Sequence, residues 1–278
     1  MLDKGDSVGL TACSNALSTK YEEVIKELEY SLYDVGLNVK TRENLFGEID
    51  GRKKAQILND MFADDEIKAI FDVSGGDAAN EILPYLDYDL IKNSDKTFYG
   101  YSDLTTVINA IYAKTDKVGG LYDVRNIIFE YRERQMADFE MTIIAGEDDL
   151  WNIDCDFIQG DYMKGIVIGG NARCFLKLAG TEYMPSFKRK ILLLESRSGD
   201  EIKIRSYFNQ LAQMGAFKEV EGVILGTFLE LEKTCELSAA DILKDIINDE
   251  KLPIAVTNQV GHRADSKAVF IGRELVID

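Results

Sequence analysis

The stretch AIFDVSGG at 69–76 is a short apolar run that stops abruptly at a glycine turn. Such a run with turn residues behind it is typical of a buried strand. A second run, TFYG at 97–100, precedes Ser102 and a segment at 104–112 that carries the apolar residues of a helix. Because strands here alternate with helices, the sequence predicts an α/β protein with a parallel sheet.

Other segments extend this pattern along the chain. The spacing of apolar residues predicts helices at 21–35, 52–62 and 202–214. Short apolar runs predict further strands at 8–12, 37–41, 165–170, 190–194, 223–225, 254–256 and 268–271. Ser238 and Asp241 have the spacing of a capping box, which marks the start of another helix.

The periodicity weakens at 148–164, where Asp, Asn and Gly accumulate around Trp151, the one tryptophan of the chain. A length of 278 residues allows two compact domains. We predict a first domain at 1–150 that contains the turn with Ser102, and a smaller second domain at 165–278. Residues 151–164 would form a linker or an active-site loop between them.

The charge balance argues against one large class of partners. The chain has 32 Lys plus Arg against 49 Asp plus Glu, a formal net charge of -17, and no dense basic cluster. Binding to a nucleic-acid backbone requires local Lys and Arg density, so we expect no nucleic-acid partner.

Export, membrane insertion and metal binding are not expected either. The first residues lack a basic segment followed by an apolar core, and no apolar run is long enough to cross a bilayer. The four cysteines are scattered without CxxC spacing, which is typical of reduced thiols in the cytoplasm. His262 is the only histidine, which argues against a His-rich metal site.

The tetrapeptide GYSD at 100–103 is the first candidate for chemistry. A serine on a sharp strand-to-helix turn projects its hydroxyl group, and nearby helix amides can stabilise an oxyanion. The segment lacks the final glycine of G-x-S-x-G, because Leu104 stands there. From the tetrapeptide alone, Ser102 is either a nucleophile or part of a helix cap.

His262 and Glu195 have the side chains that would activate such a serine. Imidazole is the usual general base at neutral pH, and His262 lies beside a glycine between two apolar runs. Glu195 follows the apolar run ILLL at 191–194, where a carboxylate can orient an imidazole. The alternatives for the two residues are a surface or structural histidine and a strand-terminal acid in solvent.

Two glycine turns offer hydrogen-bonding groups to a substrate. In SGGD at 74–77, exposed amides would serve as a second oxyanion donor or hold a substrate carboxylate. A phosphate loop is not favoured, because neither G-x-G-x-x-G nor a Gly-Lys-Ser/Thr ending is present. GGN at 169–171 adds an amide side chain. The expected substrate contacts are Gly75, Asp77, Asn171 and Trp151, the last of which either stacks on a base or simply packs.

An ordered series of motifs resembles the LD-carboxypeptidase family of serine peptidases, from about Gly5 to Gly272. The series is SGG at 74–76, LDY at 86–88, GYSDLT at 100–105, IGGN at 168–171, AGTEYMP at 179–185, LLE at 193–195 and GH at 261–262. The resemblance implies a triad of Ser102, Glu195 and His262, with the N–H groups of Gly76 and Asp103 as oxyanion donors. It also implies a flavodoxin-like or Rossmann-like amino-terminal domain, a smaller mixed α/β carboxy-terminal domain, and a homodimer. A triad mechanism needs no metal or organic cofactor.

The resemblance implies two substrate classes. Family members release the terminal D-alanine of L,D-linked murein tetrapeptides during cell-wall recycling, whereas the microcin C immunity branch cleaves peptidyl-aminoacyl nucleotides. SGGDA at 74–78 is closer to the immunity branch, and LYDV at 121–124 stands where a Gly-Pro pair usually follows the nucleophile helix. We expect murein-peptide hydrolysis, with nucleotide hydrolysis as one alternative and a catalytically silent module that binds a small anion as another.

Overall fold

A computed structural model describes residues 2–278, and two six-stranded sheets with packed helices organise them. The first part of the chain contains β1 Ser7–Thr11, α1 Glu22–Asp34, β2 Asn38–Thr41, α2 Gly51–Ala63, β3 Ile67–Asp72, α3 Tyr88–Asn93, β4 Thr97–Gly100, α4 Thr105–Thr115, β5 Gly119–Leu121 and α5 Arg132–Phe139. The second part contains β6 Asp156–Gln159, β7 Met163–Asn171, α6 Ala172–Leu176, β8 Lys190–Ser196, α7 Glu201–Gln213, α8 Ala216–Glu219, β9 Gly222–Phe228, α9 Leu231–Thr234, α10 Ala239–Ile247, β10 Ile254–Val256, β11 Val269–Ile271 and β12 Glu274–Ile277.

The first sheet has the order β2-β1-β3-β4-β5-β11, and the strands from β2 to β5 are parallel. The order 2-1-3-4-5 is the flavodoxin-like arrangement, so the prediction of a flavodoxin-like parallel sheet is confirmed. In such sheets a crevice opens outside the carboxyl ends of β1 and β3, where the strand order reverses. The glycine turn at 74–77 follows β3 at this edge.

The second sheet has the order β12-β7-β8-β9-β10-β6. Its four central strands are parallel, and the two edge strands are antiparallel to their neighbours. The run Ile191–Leu194 in β8 is fully buried, since helices cover a parallel sheet on both faces. The mixed α/β character predicted for this region is confirmed.

Two short strands depart from the predicted division of the chain into domains. β6 lies inside 151–164, the segment predicted to be a linker or an active-site loop. The segment forms a strand because its backbone pairs with β10 and its partly buried Phe157 and Ile158 pack on the core. β11 lies in the region predicted as the second domain but pairs with β5 of the first sheet. The exact domain boundaries stay a prediction.

Helix α4 connects the two sheets. Its residues from Thr105 to Tyr112 are buried, and it packs against β5 of the first sheet and β7 of the second. The amide of Asn109 donates to the carbonyl of Gly169 at 2.8 Å and accepts from the Gly169 N–H at 2.9 Å. Because α4 begins just after Ser102, these contacts hold the serine turn against the second sheet.

The capping box predicted at Ser238 is confirmed at the start of α10, where Ser238 and Asp241 exchange hydrogen bonds. Across residues 2–278, no helix combines the length and the apolar character that a bilayer crossing requires.

Candidate active site

Ser102 lies in a single 3-10 turn between β4 and α4. Its backbone has a φ of 56°, in the left-handed region that non-glycine residues rarely adopt. Such strain is concentrated at functional turns, and this is the backbone geometry of a nucleophile elbow. The cap alternative finds no support in the contacts, since no side chain caps the turn or α4.

Glu195 is fully buried near the end of β8, where the pairing with β9 shifts register. A register irregularity in a strand can re-aim a side chain beside an active site. One Glu195 oxygen lies 2.7 Å from His262 Nδ1, and the other accepts from Asn171 Nδ2 at 3.1 Å. The acid therefore does not lie in solvent, and Asn171 serves to position it.

The His262 imidazole lies in the loop after β10 and is 10% exposed. Its ring packs edge-on against Tyr101, the residue before Ser102, with ring centroids 5.0 Å apart. Among residues 2–278, His262 Nε2 is a buried atom without a hydrogen-bond partner. With Nδ1 bound to the carboxylate, Nε2 is the atom available to accept a proton.

The glycine turn lies beside the serine, since a Cβ built on Gly75 would be 3.9 Å from Ser102 Cβ. Gly76 has a φ of 132°, and a Cβ there would lie 2.4 Å from the Asn15 amide. The Asn15 carbonyl oxygen accepts from the Asp77 N–H at 2.9 Å and the Ala78 N–H at 3.2 Å. Sequence reasoning missed Asn15, because nothing in its neighbourhood along the chain indicates a contact 62 positions away.

A cleft of about 590 Å³ opens beside the imidazole. Its walls include Tyr101 and His262, the aromatic residues Tyr21 and Phe129, the acids Asp123 and Glu230, and the cations Arg125, Arg197, Lys233 and Arg263. Arg125 and Arg263 are held in ion pairs by Asp123 and Glu232. Among residues 2–278, Arg197 and Lys233 form no ion pair, so they are the cations of the cleft that remain available to a substrate. The cleft therefore suits a substrate that carries an anionic group.

Asp123 lines this cleft from LYDV at 121–124, the segment that replaces the expected Gly-Pro pair. Arg125 binds it through two hydrogen bonds, both of 2.8 Å. Burial opposes ionisation of Asp123, but Arg125 outweighs burial and holds the pKa of this carboxyl below its usual value. The carboxylate is thus charged at neutral pH.

The other predicted contact residues have varied surroundings. The Asp77 side chain is exposed and pairs with Arg173. The Asp103 carboxylate is fully buried beneath the serine turn. Trp151 packs in an aromatic cluster, 4.0 Å from the Phe270 ring by centroids, and does not line the cleft described above. No group of three or more His, Cys, Asp and Glu side chains in the described part of the chain could hold a metal.

We expect Gly226→Ala to separate the imidazole loop from Glu195. A Cβ on Gly226 would lie 2.4 Å from the Val260 carbonyl oxygen and 3.0 Å from Glu195 Cβ. Overpacking of this kind costs about 1–3 kcal/mol of stability, and a displacement near 1 Å lowers turnover about 100-fold. Urea unfolding and kcat/KM measure the two effects.

Gly165→Ala is the control. Its Cβ would lie 3.1 Å from the Arg189 carbonyl oxygen, near the start of β7 and at the other end of that strand from Asn171. We expect it to lose stability and keep turnover. If Gly226→Ala kept the wild-type kcat/KM, turnover would not depend on how closely the His262 loop packs against Glu195.

A strained serine turn on a flavodoxin-like sheet, with an imidazole–carboxylate pair packed against the residue before that serine, is the arrangement expected of a serine hydrolase with an α/β fold. Comparison with protein families gives the particular group. Residues 8–122 match the LD-carboxypeptidase N-terminal domain, and residues 164–277 match the LD-carboxypeptidase C-terminal domain. The chain therefore belongs to the LD-carboxypeptidase family, as its motifs predicted.

Individual proteins agree with this assignment. A Bacillus subtilis (strain 168) protein named "Probable murein peptide carboxypeptidase" is 27% identical, with 100% of this chain and 90% of that protein covered. The structure of MccF with glutamyl sulfamoyl guanosine has a TM-score of 0.89 at 22% identity and covers 100% of this chain and 94% of that one. A muramoyltetrapeptide carboxypeptidase from Oxalobacter formigenes has a TM-score of 0.79 at 18% identity, covering 98% and 95%. The two structures show the same fold.

Proposed function

We propose that the protein is a serine carboxypeptidase that hydrolyses the L,D-peptide bond of murein peptides and releases the terminal D-alanine. One observation carries the proposal: a buried His262–Glu195 pair, with Nε2 of the imidazole unpartnered, lies against the strained turn that holds Ser102. The relatives named for murein peptides support the choice of substrate.

In the proposed mechanism, His262 Nε2 takes the proton of Ser102 Oγ as this oxygen attacks the scissile carbonyl carbon. The N–H groups of Gly76 and Asp103 stabilise the resulting oxyanion. The imidazolium then gives its proton to the departing D-alanine amine, leaving an acyl-enzyme. Water, deprotonated by His262, hydrolyses this ester and restores the serine. Glu195 keeps the imidazole oriented throughout, and the steps use no metal or organic cofactor.

The cations Arg197 and Lys233 in the cleft wall, which form no ion pair within residues 2–278, support a substrate with a free carboxylate. A peptide end that carries such a group would bind beside the imidazole, with Gly75, Asp77 and Asn171 near the reacting bond. We further propose that the reaction takes place in the cytoplasm and that the protein is a homodimer, as the family resemblance implies.

A second candidate substrate is a peptidyl-aminoacyl nucleotide. Tyr21 and Phe129 support it, because they line the cleft and are 40% and 39% exposed. Exposed aromatic rings beside cations are suited to stacking on a base and binding a phosphate. MccF is described in complex with aspartyl sulfamoyl adenosine, which is a nucleoside derivative.

Incubation of the purified protein with both substrate classes tests the proposal. We expect mass spectrometry to show D-alanine release from an L,D-linked murein tetrapeptide at a higher kcat/KM than cleavage of a peptidyl-aminoacyl nucleotide. The reverse order would establish the second candidate. A serine-reactive phosphonate that leaves Ser102 unlabelled would favour a silent anion-binding module.

Phe129→Ala distinguishes the two substrates further. Loss of one stacked base costs about 1–3 kcal/mol, or about 5- to 150-fold in binding. We expect KM to rise within this range for the nucleotide and to stay within about twofold for the murein peptide, which has no base to stack. Steady-state kinetics with both substrates measures this; equal increases would show that Phe129 does not bind a base.

A further inference from the structure

The glycine turn at 74–77 and the two residues after it are held by side chains from the opposite half of the molecule. Arg173 lies in α6 and Lys177 directly after it, in the half that contains the second sheet. We propose that Lys177, with Arg173, is a positioning residue that fixes the glycine turn against Ser102 and so sets the oxyanion hole. This inference rests on the proposed function.

Asp103, the residue after Ser102, binds both Lys177 and the backbone that follows the glycine turn. Its fully buried carboxylate accepts from Ser14 Oγ at 2.7 Å and from the Ala79 N–H at 2.9 Å. Lys177 Nζ forms an ion pair with the other carboxylate oxygen. A buried carboxylate needs such a partner, because an unpaired interior charge is strongly unfavourable. The serine turn and Ala79, two residues after the glycine turn, therefore share one carboxylate and its cation.

Lys177 also binds the glycine turn directly. The same ammonium group donates to the Asp77 carbonyl at 2.7 Å, so it joins the serine turn to the glycine turn. Its side chain is 17% exposed, which limits its freedom to swing away. A lysine that bridges two loops in this way fixes the distance between them.

Arg173 acts on the neighbouring peptide group. Its Nη2 donates to the Gly76 carbonyl at 3.0 Å, while Asn15 accepts from the Asp77 N–H at the other end of that peptide. The peptide after Gly76 is thus held at both ends. This restraint stabilises the left-handed Gly76 backbone, which sets the direction of the Gly76 N–H.

The contacts of Lys177 and Arg173 with the glycine turn form a clamp, and the position of α6 links this clamp to the triad. Asn171, which holds Glu195, is the N-cap residue of the same helix. One short segment, 171–177, thereby contacts both the triad carboxylate and the glycine turn. Oxyanion donors must lie within about 3 Å of the developing charge, and an error of 1 Å lowers the rate about 100-fold. We infer that α6 aligns the two parts of the site.

Lys177→Met tests the proposal, with Lys177→Arg as the conservative variant. We expect Lys177→Met to lower kcat and the rate of phosphonate labelling about 100-fold while KM changes less than about threefold. Lys177→Arg retains a cation at the same place and should recover at least a tenth of the wild-type kcat. A kcat for Lys177→Met within threefold of the wild type would overturn the proposal.

Lys114→Met is the matched control. Lys114 in α4 pairs with Glu182 in the other half of the molecule, so this variant also removes an ion pair between the halves but does not touch the glycine turn. We expect its kcat to stay within about twofold of the wild type. An equal loss in both lysine variants would show a general structural effect and contradict the positioning role.

Hydrogen exchange at 74–79, followed by mass spectrometry, measures the clamp without turnover. We expect faster exchange in Lys177→Met than in wild type or Lys114→Met, and unchanged exchange would disprove the clamp. If the wild type cleaved neither substrate but Lys177→Met still exchanged faster at 74–79, the proposed function would be disproved and the positioning role of Lys177 would stand. Arg173→Met, at a partly exposed position, gives the same measurement if Lys177→Met does not fold.

Discussion

Ser102→Ala is expected to lose turnover on the order of 10⁴-fold or more, because the attacking oxygen is removed and only binding and oxyanion stabilisation remain. KM should change little, since the deleted hydroxyl acts mainly on the reacting carbon. Single-turnover assays and phosphonate labelling measure the effect. Turnover above a hundredth of the wild-type value would exclude Ser102 as the nucleophile.

Ser102→Gly makes the same experiment more specific. The left-handed backbone at this position costs about 1 kcal/mol or more for a residue with a Cβ, and glycine relieves it. We expect the glycine variant to be as inactive as the alanine variant but a few degrees more stable in Tm. Ser238→Ala is the opposite control: it removes the α10 cap, at about 1 kcal/mol, and should keep full turnover.

Glu195→Gln should have the second-largest effect, a loss of about 10⁴-fold in kcat, as expected when an imidazole loses its orienting carboxylate. Glutamine keeps the shape and the bond from Asn171, but its NH₂ group would donate to His262 Nδ1. The proton would then lie on Nε2, where the base is needed. Stability should be nearly unchanged, so kcat and thermal unfolding separate the two effects.

Glu232→Gln is the matched control for this substitution. Glu232 pairs with Arg263, next to His262, but both partners are exposed and the pair contributes little. We expect kcat within about threefold of the wild type. If Glu195→Gln also retained more than a tenth of its activity, the carboxylate would have no role in orienting the imidazole.

Much of the sheet architecture could be predicted from sequence, because buried parallel strands are continuous apolar runs. The bounds of β4 and β10 match their predicted ranges. β5 was missed, since Gly119 and Gly120 supply no apolar signal. Glycine is needed there because a Cβ on Gly120 would lie 2.1 Å from the Tyr99 ring. Such a strand exists only through its neighbours in three dimensions, which a pattern along the chain does not show.

The candidate site was also predictable only in part. Ser102, Glu195 and His262 could be chosen by chemical type and by their places at strand ends. The residues that hold them could not: Asn15 and Lys177 lie in segments without a catalytic motif and act over 62 and 74 positions of sequence. Only tertiary packing brings those groups together.

The last strands of the chain have a consequence for how the two halves depend on each other. Within nine residues, β11 completes the first sheet beside β5 and β12 completes the second beside β7. A fragment that stopped before residue 269 would leave β5 and β7 as unpaired edge strands, and exposed strand edges promote aggregation. Residues 269–277 thus join the two sheets, and we expect either half without this segment to aggregate.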